Sequence, residues 1–287
     1  MSLYRNFLSQ EEIDANYRTD IGLDLPGLMR HYTTESARVR KELPCRPGLK
    51  YGPTRAESLD FFPGRPGAPV LMFIHGGYWR LGAAGDFSVL AAGPAAHGIA
   101  VAVTNYALCP AVTIDEITRQ NRAALAWLWH NAGELGIDRE RIFIAGHSAG
   151  GQQVGMMLAT DWSGQYDLPA DVVKGALAVS GVFDLRPLRH SWLQPKLQLT
   201  ADTIERQSPL FHVPATAPPL VVTCGGAEPA EFIRQSHEYL AAWQHAGLTG
   251  RFVEQPGANH FVAVESLADA DGLLTKVTRE LIAEASG

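Results

Sequence analysis

The chain has 287 residues, 46% of them hydrophobic and 19% charged. That is enough apolar matter for one large core, and it excludes a chain disordered throughout and a small disulfide-stapled scaffold. The net charge of −6 comes without any Lys/Arg run, which argues against a nucleic-acid partner.

From the N-terminus, residues 1–45 read as helical and polar. The stretch Met1 to Gln10 lacks the apolar core of a signal peptide. Ser9 and Glu12 have the spacing of a capping box. Residues 46–67 are rich in Pro, Gly and Arg and read as turns around a short strand at Ser58–Phe62.

A regular rhythm follows. Short apolar runs occur at Ala68–Ile74, Ile99–Thr104, Arg141–Ala145, Gly175–Ser180, Pro219–Cys224 and Gly250–Glu254. They do not alternate with polar residues, as expected of parallel strands covered on both faces. Helical patterns separate them. One opens at a second capping box, Thr113 to Glu116, and runs to near Gly133. Others cover Gly150–Ala159 and Ala230–Ala246. The order predicts an α/β fold with a mainly parallel, doubly wound sheet flanked by helices, in a single domain over residues 1–287. Residues 182–217 carry several prolines and no clean period. Together with the N-terminal segment they are expected to form a small lid over the site, with Tyr17, Tyr32 and Trp192 among its aromatics.

The third run ends in Gly146-His147-Ser148-Ala149-Gly150, and a helical segment follows at once. A G-x-S-x-G turn between strand and helix presents its serine hydroxyl at a helix N-terminus, so Ser148 is the candidate nucleophile. A serine nucleophile needs a base and needs donors for the oxyanion. His75-Gly76-Gly77-Tyr78-Trp79 ends the first run, and its glycines let backbone N–H groups approach a reacting carbonyl. Gly76, Gly77 and the N–H of Ala149 are the oxyanion candidates. His75 reads as a residue that orients the loop. Tyr78 and Trp79 are expected to line the substrate pocket and narrow its acyl side.

Five histidines follow Ser148: His190, His212, His237, His245 and His260. Only His260 lies just past the sixth run, at the carboxyl edge where Ser148 is expected, so it is the candidate base. The acid must follow the fifth run. Glu228 lies on that loop, Glu231 lies in the first helical turn, and Asp184 beyond the fourth run is a third candidate. Glu228 fits a loop acid best.

These motifs resemble the α/β-hydrolase superfamily and, within it, the kynurenine formamidase (arylformamidase) group. The resemblance runs from about Asp60 to the C-terminus. It rests on His75-Gly-Gly-Tyr-Trp79, Gly146-His-Ser-Ala-Gly150, Ser180-Gly-Val-Phe-Asp-Leu185, Ser208-Pro-Leu210 and Glu231-Phe-Ile-Arg-Gln-Ser236. It implies an α/β-hydrolase fold and a triad of Ser148, Glu228 and His260, although members of that group usually carry Asp at the acid position. It also implies a reaction with no metal or organic cofactor, and a place in tryptophan catabolism.

The expected activity is that of a serine hydrolase acting through an acyl-enzyme on a small amide or ester. An N-formyl arylamine such as N-formylkynurenine is the first choice. A small-acyl carboxylesterase is the alternative, and a non-catalytic binding protein on the same fold is a remote one. No run reaches the roughly 20 residues of a membrane span. The three cysteines, Cys45, Cys109 and Cys224, are widely separated, which suits neither a disulfide framework nor a zinc site. The expected partner is a small-molecule substrate in the cytoplasm, with no membrane or nucleic acid. A homodimer is among the assemblies the composition allows.

Overall fold

A computed structural model describes residues 2–285. Met1, Ser286 and Gly287, which the expected domain included, lie outside them. Eight strands form one sheet: β1 (Arg46–Lys50), β2 (Ser58–Phe62), β3 (Ala68–Ile74), β4 (Ala100–Thr104), β5 (Ile137–His147), β6 (Val173–Val179), β7 (Leu220–Gly225) and β8 (Gly250–Gln255). Their order is β1-β2-β4-β3-β5-β6-β7-β8. The β1–β2 and β2–β4 pairs are antiparallel, and every later pair is parallel. This is the α/β-hydrolase fold.

The principal helices are α1 (Gln10–Tyr17), α2 (Leu25–Glu42), α3 (Ile114–His130), α4 (Ala149–Leu158), α5 (Ala230–His245) and α6 (Leu273–Glu284). They cover both faces of the sheet, which explains the unbroken apolar runs. Successive strand residues point to opposite faces. Val70, Met72 and Ile74 of β3 pack in one core with Ile142 and Ile144 of β5, under α3, α4 and α5. Leu71 and Phe73 pack in the other with Phe143, Leu177 and Val179, under α2 and α6.

Two expectations change. Residues 46–67 hold a second strand, β1, where turns alone were expected around Ser58–Phe62. β1 is mostly exposed, contains Pro47 and a left-handed Gly48 (φ 66°), and shifts register between Arg46 and Leu49. An edge strand tolerates such residues because one of its sides needs no partner. The capping boxes form only in part. The hydroxyls of Ser9 and Thr113 accept the N–H groups of Glu12 and Glu116. The Glu12 carboxylate instead takes the Leu8 N–H, and Glu116 is drawn to Arg119 and Gln120.

The centre of the sheet should be the most sensitive to loss of volume. Ile144 is fully buried on β5, beside Met72 and Ala176. Ile144→Ala is expected to cost about 2–5 kcal/mol in urea unfolding with an unchanged denaturant slope. A loss below about 1 kcal/mol would show that the core closes around the gap.

Candidate active site

Ser148 stands between β5 and α4, with φ 58° and ψ −117°. A non-glycine residue there carries strain of about 1–3 kcal/mol, and it persists only where the surroundings over-determine it. Here they do. The Ser148 N–H donates to Val179 O at 2.8 Å. A Cβ at Gly150 would lie 1.9 Å from Ile74 O, and one at Gly146 would lie 2.2 Å from Gly150 O. Glycine is required at both places because helix α4 enters directly against the ends of β3 and β5.

His260 lies past β8 and is buried. Its Nδ1 is 2.6 Å from Glu228 Oε2. A carboxylate can only accept, so Nδ1 carries a proton and Nε2 is the ring nitrogen left for a base. The other Glu228 oxygen accepts from Ser180 Oγ at 2.5 Å and from the Gly225 N–H at 2.7 Å. Burial alone would raise the Glu228 pKa. The charge and hydrogen bond of His260, with Ser180 and Gly225, outweigh burial and hold the carboxyl below its ordinary value. Glu228 is therefore ionised at neutral pH.

The other two acids are engaged elsewhere. Asp184 accepts from Tyr4 Oη at 2.7 Å and from the Arg186 guanidinium at 2.7–3.1 Å. Glu231 accepts from Tyr17 Oη at 2.9 Å and pairs with Arg234. Of the three candidate acids, only Glu228 meets His260.

Gly76, Gly77, Tyr78, Ser148 and His260 line one cavity of about 280 Å³. Gly77 has φ 115°, and a Cβ on it would lie 2.2 Å from Leu81 O. A Cβ on Gly76 would lie 3.0 Å from the Ser148 Cβ. Among the described residues no protein acceptor takes the N–H of Gly76, Gly77 or Ala149. Unpaired backbone donors beside a buried serine are poised for a ligand oxygen. His75 is sandwiched between Phe87 and Tyr106, at centroid distances of 5.2 and 4.2 Å. Burial pushes its pKa down to about 4, so the ring is neutral and its Nδ1–H donates to Gly76 O at 2.6 Å.

Trp79 does not line the cavity, contrary to expectation. Tyr78 and Trp79 are consecutive left-handed residues (φ 51° and 56°), and the Trp79 ring packs under the loop, where it is fully buried and donates to Gln152 Oε1 on α4 at 2.9 Å. Tyr78 does line the cavity. Its hydroxyl donates to Tyr17 O, and its ring meets Trp192 edge-on at 5.6 Å. The N-terminal segment supplies Thr19, Asp20, Leu25, Met29 and Tyr32 to the wall, and residues 182–217 supply Trp192. Tyr17 instead packs behind the wall, holding Glu231 and Gln235.

Two contributors escaped the sequence reading. Ser180 is buried at φ 53° and anchors Glu228. Its signal was the small Ser-Gly pair at the end of β6. His147, the second residue of the Gly146–Gly150 turn, lies against His260 at 4.6 Å, and its Nε2–H donates to the His260 carbonyl at 2.9 Å. Burial and the neighbouring His260 push its pKa down to about 3, so it positions His260 as a neutral ring. Among the described residues no group of three or more His, Cys, Asp or Glu is disposed to hold a metal ion. No helix among them is long and apolar enough to cross a membrane.

The sequence is similar to a kynurenine formamidase from Danio rerio, 29% identical over 82% of this chain and 80% of the relative. It is also similar to the esterase LipQ of Mycobacterium tuberculosis, 27% identical over 82% of this chain and 59% of the relative. A solved structure from Silicibacter sp. TM1040, provisionally named a thioesterase, superposes with a TM-score of 0.80. It is 29% identical and covers 93% of this chain and 98% of its own. The model of the BD-FAE family matches residues 63–243, more than half of the chain, and the chain belongs to that family.

Proposed function

We propose that this protein is a serine hydrolase of N-formyl arylamines, with Ser148 as nucleophile, His260 as base and Glu228 as the acid that orients it. The observation that carries this reading is the Glu228–His260 hydrogen bond beside the strained Ser148, on a cavity that has unpaired N–H donors. The likeness to the Danio rerio kynurenine formamidase supports the choice of substrate.

In this reading Ser148 Oγ attacks the formyl carbon while His260 Nε2 takes its proton. The ionised Glu228 stabilises the resulting imidazolium. The N–H groups of Gly76, Gly77 and Ala149 receive the negative oxygen of the tetrahedral intermediate. His260 then gives its proton to the departing arylamine nitrogen, whose basicity the ring has weakened. Water, deprotonated by His260, attacks the formyl ester of Ser148. The imidazolium returns that proton to Ser148 Oγ as the ester bond breaks, and the formyl group leaves as formic acid, which ionises to formate. The cavity of about 280 Å³ favours a small acyl group. Tyr78, Tyr32 and Trp192 offer flat apolar faces to an aromatic partner. The whole chain acts as one domain, with the N-terminal helices and Trp192 closing the site. Its three unpaired cysteines suit the reducing cytoplasm.

A small-acyl carboxylesterase is the second reading, supported by the likeness to LipQ. The acyl-enzyme chemistry is shared, so substrate range separates the two. N-formylkynurenine should be turned over, and rates on aryl esters should fall from acetyl to octanoyl. Rates that rise toward octanoyl while formyl arylamines stay inert would leave the esterase reading standing.

Ser148→Ala is expected to lower turnover roughly 10⁴–10⁶-fold with the fold intact by circular dichroism. An organophosphate should label Ser148 alone, and a label on any other residue would overturn its role. Glu228→Gln should lower turnover roughly 10²–10⁴-fold, because the amide presents His260 with the wrong partner. Glu231→Gln and Asp184→Asn, whose carboxylates hold arginines, should change kcat far less. A larger kcat loss in either of them would reassign the acid.

A further inference from the structure

Arg80 follows the glycine loop and lines the cavity together with Ser148 and His260. Its guanidinium carbon sits 5.0 Å above the Trp192 ring. Its Nε is buried without a hydrogen-bond partner, and among the described residues the guanidinium takes part in no ion pair. A buried donor on a permanent cation costs free energy while it stays unpaired. The two carboxylates of the cavity do not offset it. Both Asp20 oxygens are held by Arg18, at 3.0 and 3.1 Å. Asp86 accepts from the Thr33 hydroxyl and the Ala83 N–H, each at 3.1 Å.

We infer that Arg80 is a substrate-carboxylate subsite, so that the preferred substrates are aryl formamides or esters bearing a carboxylate away from the scissile bond. The inference rests on the hydrolase reading above and deepens it. Trp192 packs against the guanidinium, and a planar fork matches a carboxylate with two parallel hydrogen bonds. The lining is mostly apolar, with Leu25, Met29 and Phe261 on the wall, and a low-dielectric wall strengthens such a charged pair. The anchor holds the far end of the substrate while its carbonyl reaches Ser148. Arg80 takes no part in bond making and acts on binding and placement.

The test is the ratio of kcat/KM for an acid to that for its methyl ester. Two substrate pairs are used, N-formylkynurenine and 3-(4-acetoxyphenyl)propanoate, each with its methyl ester. The wild type should favour the acid in both. Arg80→Leu should lower the ratio roughly 10- to 100-fold, mainly through KM, the usual scale for losing a charge-assisted pair. Arg80→Lys should fall between, because a point charge replaces the fork. An unchanged ratio, or an equal loss on acid and ester, would overturn the subsite. A ratio that falls for the acetoxy pair while both formamides stay inert would keep the subsite and sink the formamidase reading. Turnover of the formamides with a constant ratio would do the reverse.

Discussion

The arrangement hangs on a contact of backbone against backbone. Helix α4 begins so close to the ends of β3 and β5 that the site of a Cβ on Gly150 is already taken by Ile74 O. That closeness forces Ser148 into left-handed backbone and lifts its side chain out of the sheet. The same approach brings the Gly76–Gly77 loop, at the end of β3, within contact of the serine. One constraint thus sets both the serine and the donors beside it. The strain at Ser148 persists because β3, β5 and β6 are buried on both faces and cannot relax separately.

A second arrangement is built on that edge by long-range contacts. Glu228, after β7, reaches His260, after β8, and its free oxygen is held by Ser180 after β6. Three neighbouring strand ends therefore meet at one carboxylate. Glutamate has one more rotatable bond than aspartate and would lose precision if tethered once. The Gly225 N–H and Ser180 Oγ tether it a second and a third time. The depressed pKa of Glu228 has the same origin, since each tether favours the charged form over the neutral one.

Much of this was legible in the sequence, for a physical reason. Parallel strands covered on both faces must be apolar throughout, so β3 to β7 stood out as runs, and chain order put His260 and Glu228 at the right edge. What failed was information about direction. Tyr78 and Trp79 both follow Gly76-Gly77 in left-handed backbone, yet the Trp79 ring is fully buried beneath the loop while Tyr78 lines the cavity. No residue pattern announces that turn. β1 was hidden because an exposed edge strand needs no apolar alternation. Ser180 and His147 escaped because they hold other residues of the site in place, and such roles appear only once distances exist.

The division of labour follows from the same geometry. Ser148, His260 and Glu228 sit on strand ends whose positions the sheet dictates. The wall facing them comes largely from chain outside the sheet: residues 19–32, and Trp192 from the 182–217 excursion. These pieces are fastened by side chains that do no chemistry. Tyr17 binds Glu231 and Gln235 on α5, its carbonyl receives the Tyr78 hydroxyl, and Asp14 on α1 takes the Trp192 N–H. The N-terminal segment, Trp192 and Tyr78 are thereby held as one surface. None of these contacts runs through the serine elbow. Loss of the Tyr17 anchorage, however, would loosen the wall as a whole. The surface that faces the serine is therefore built largely from residues distant in sequence from the serine motif. For the same reason the motif alone could identify the chemistry but not the substrate.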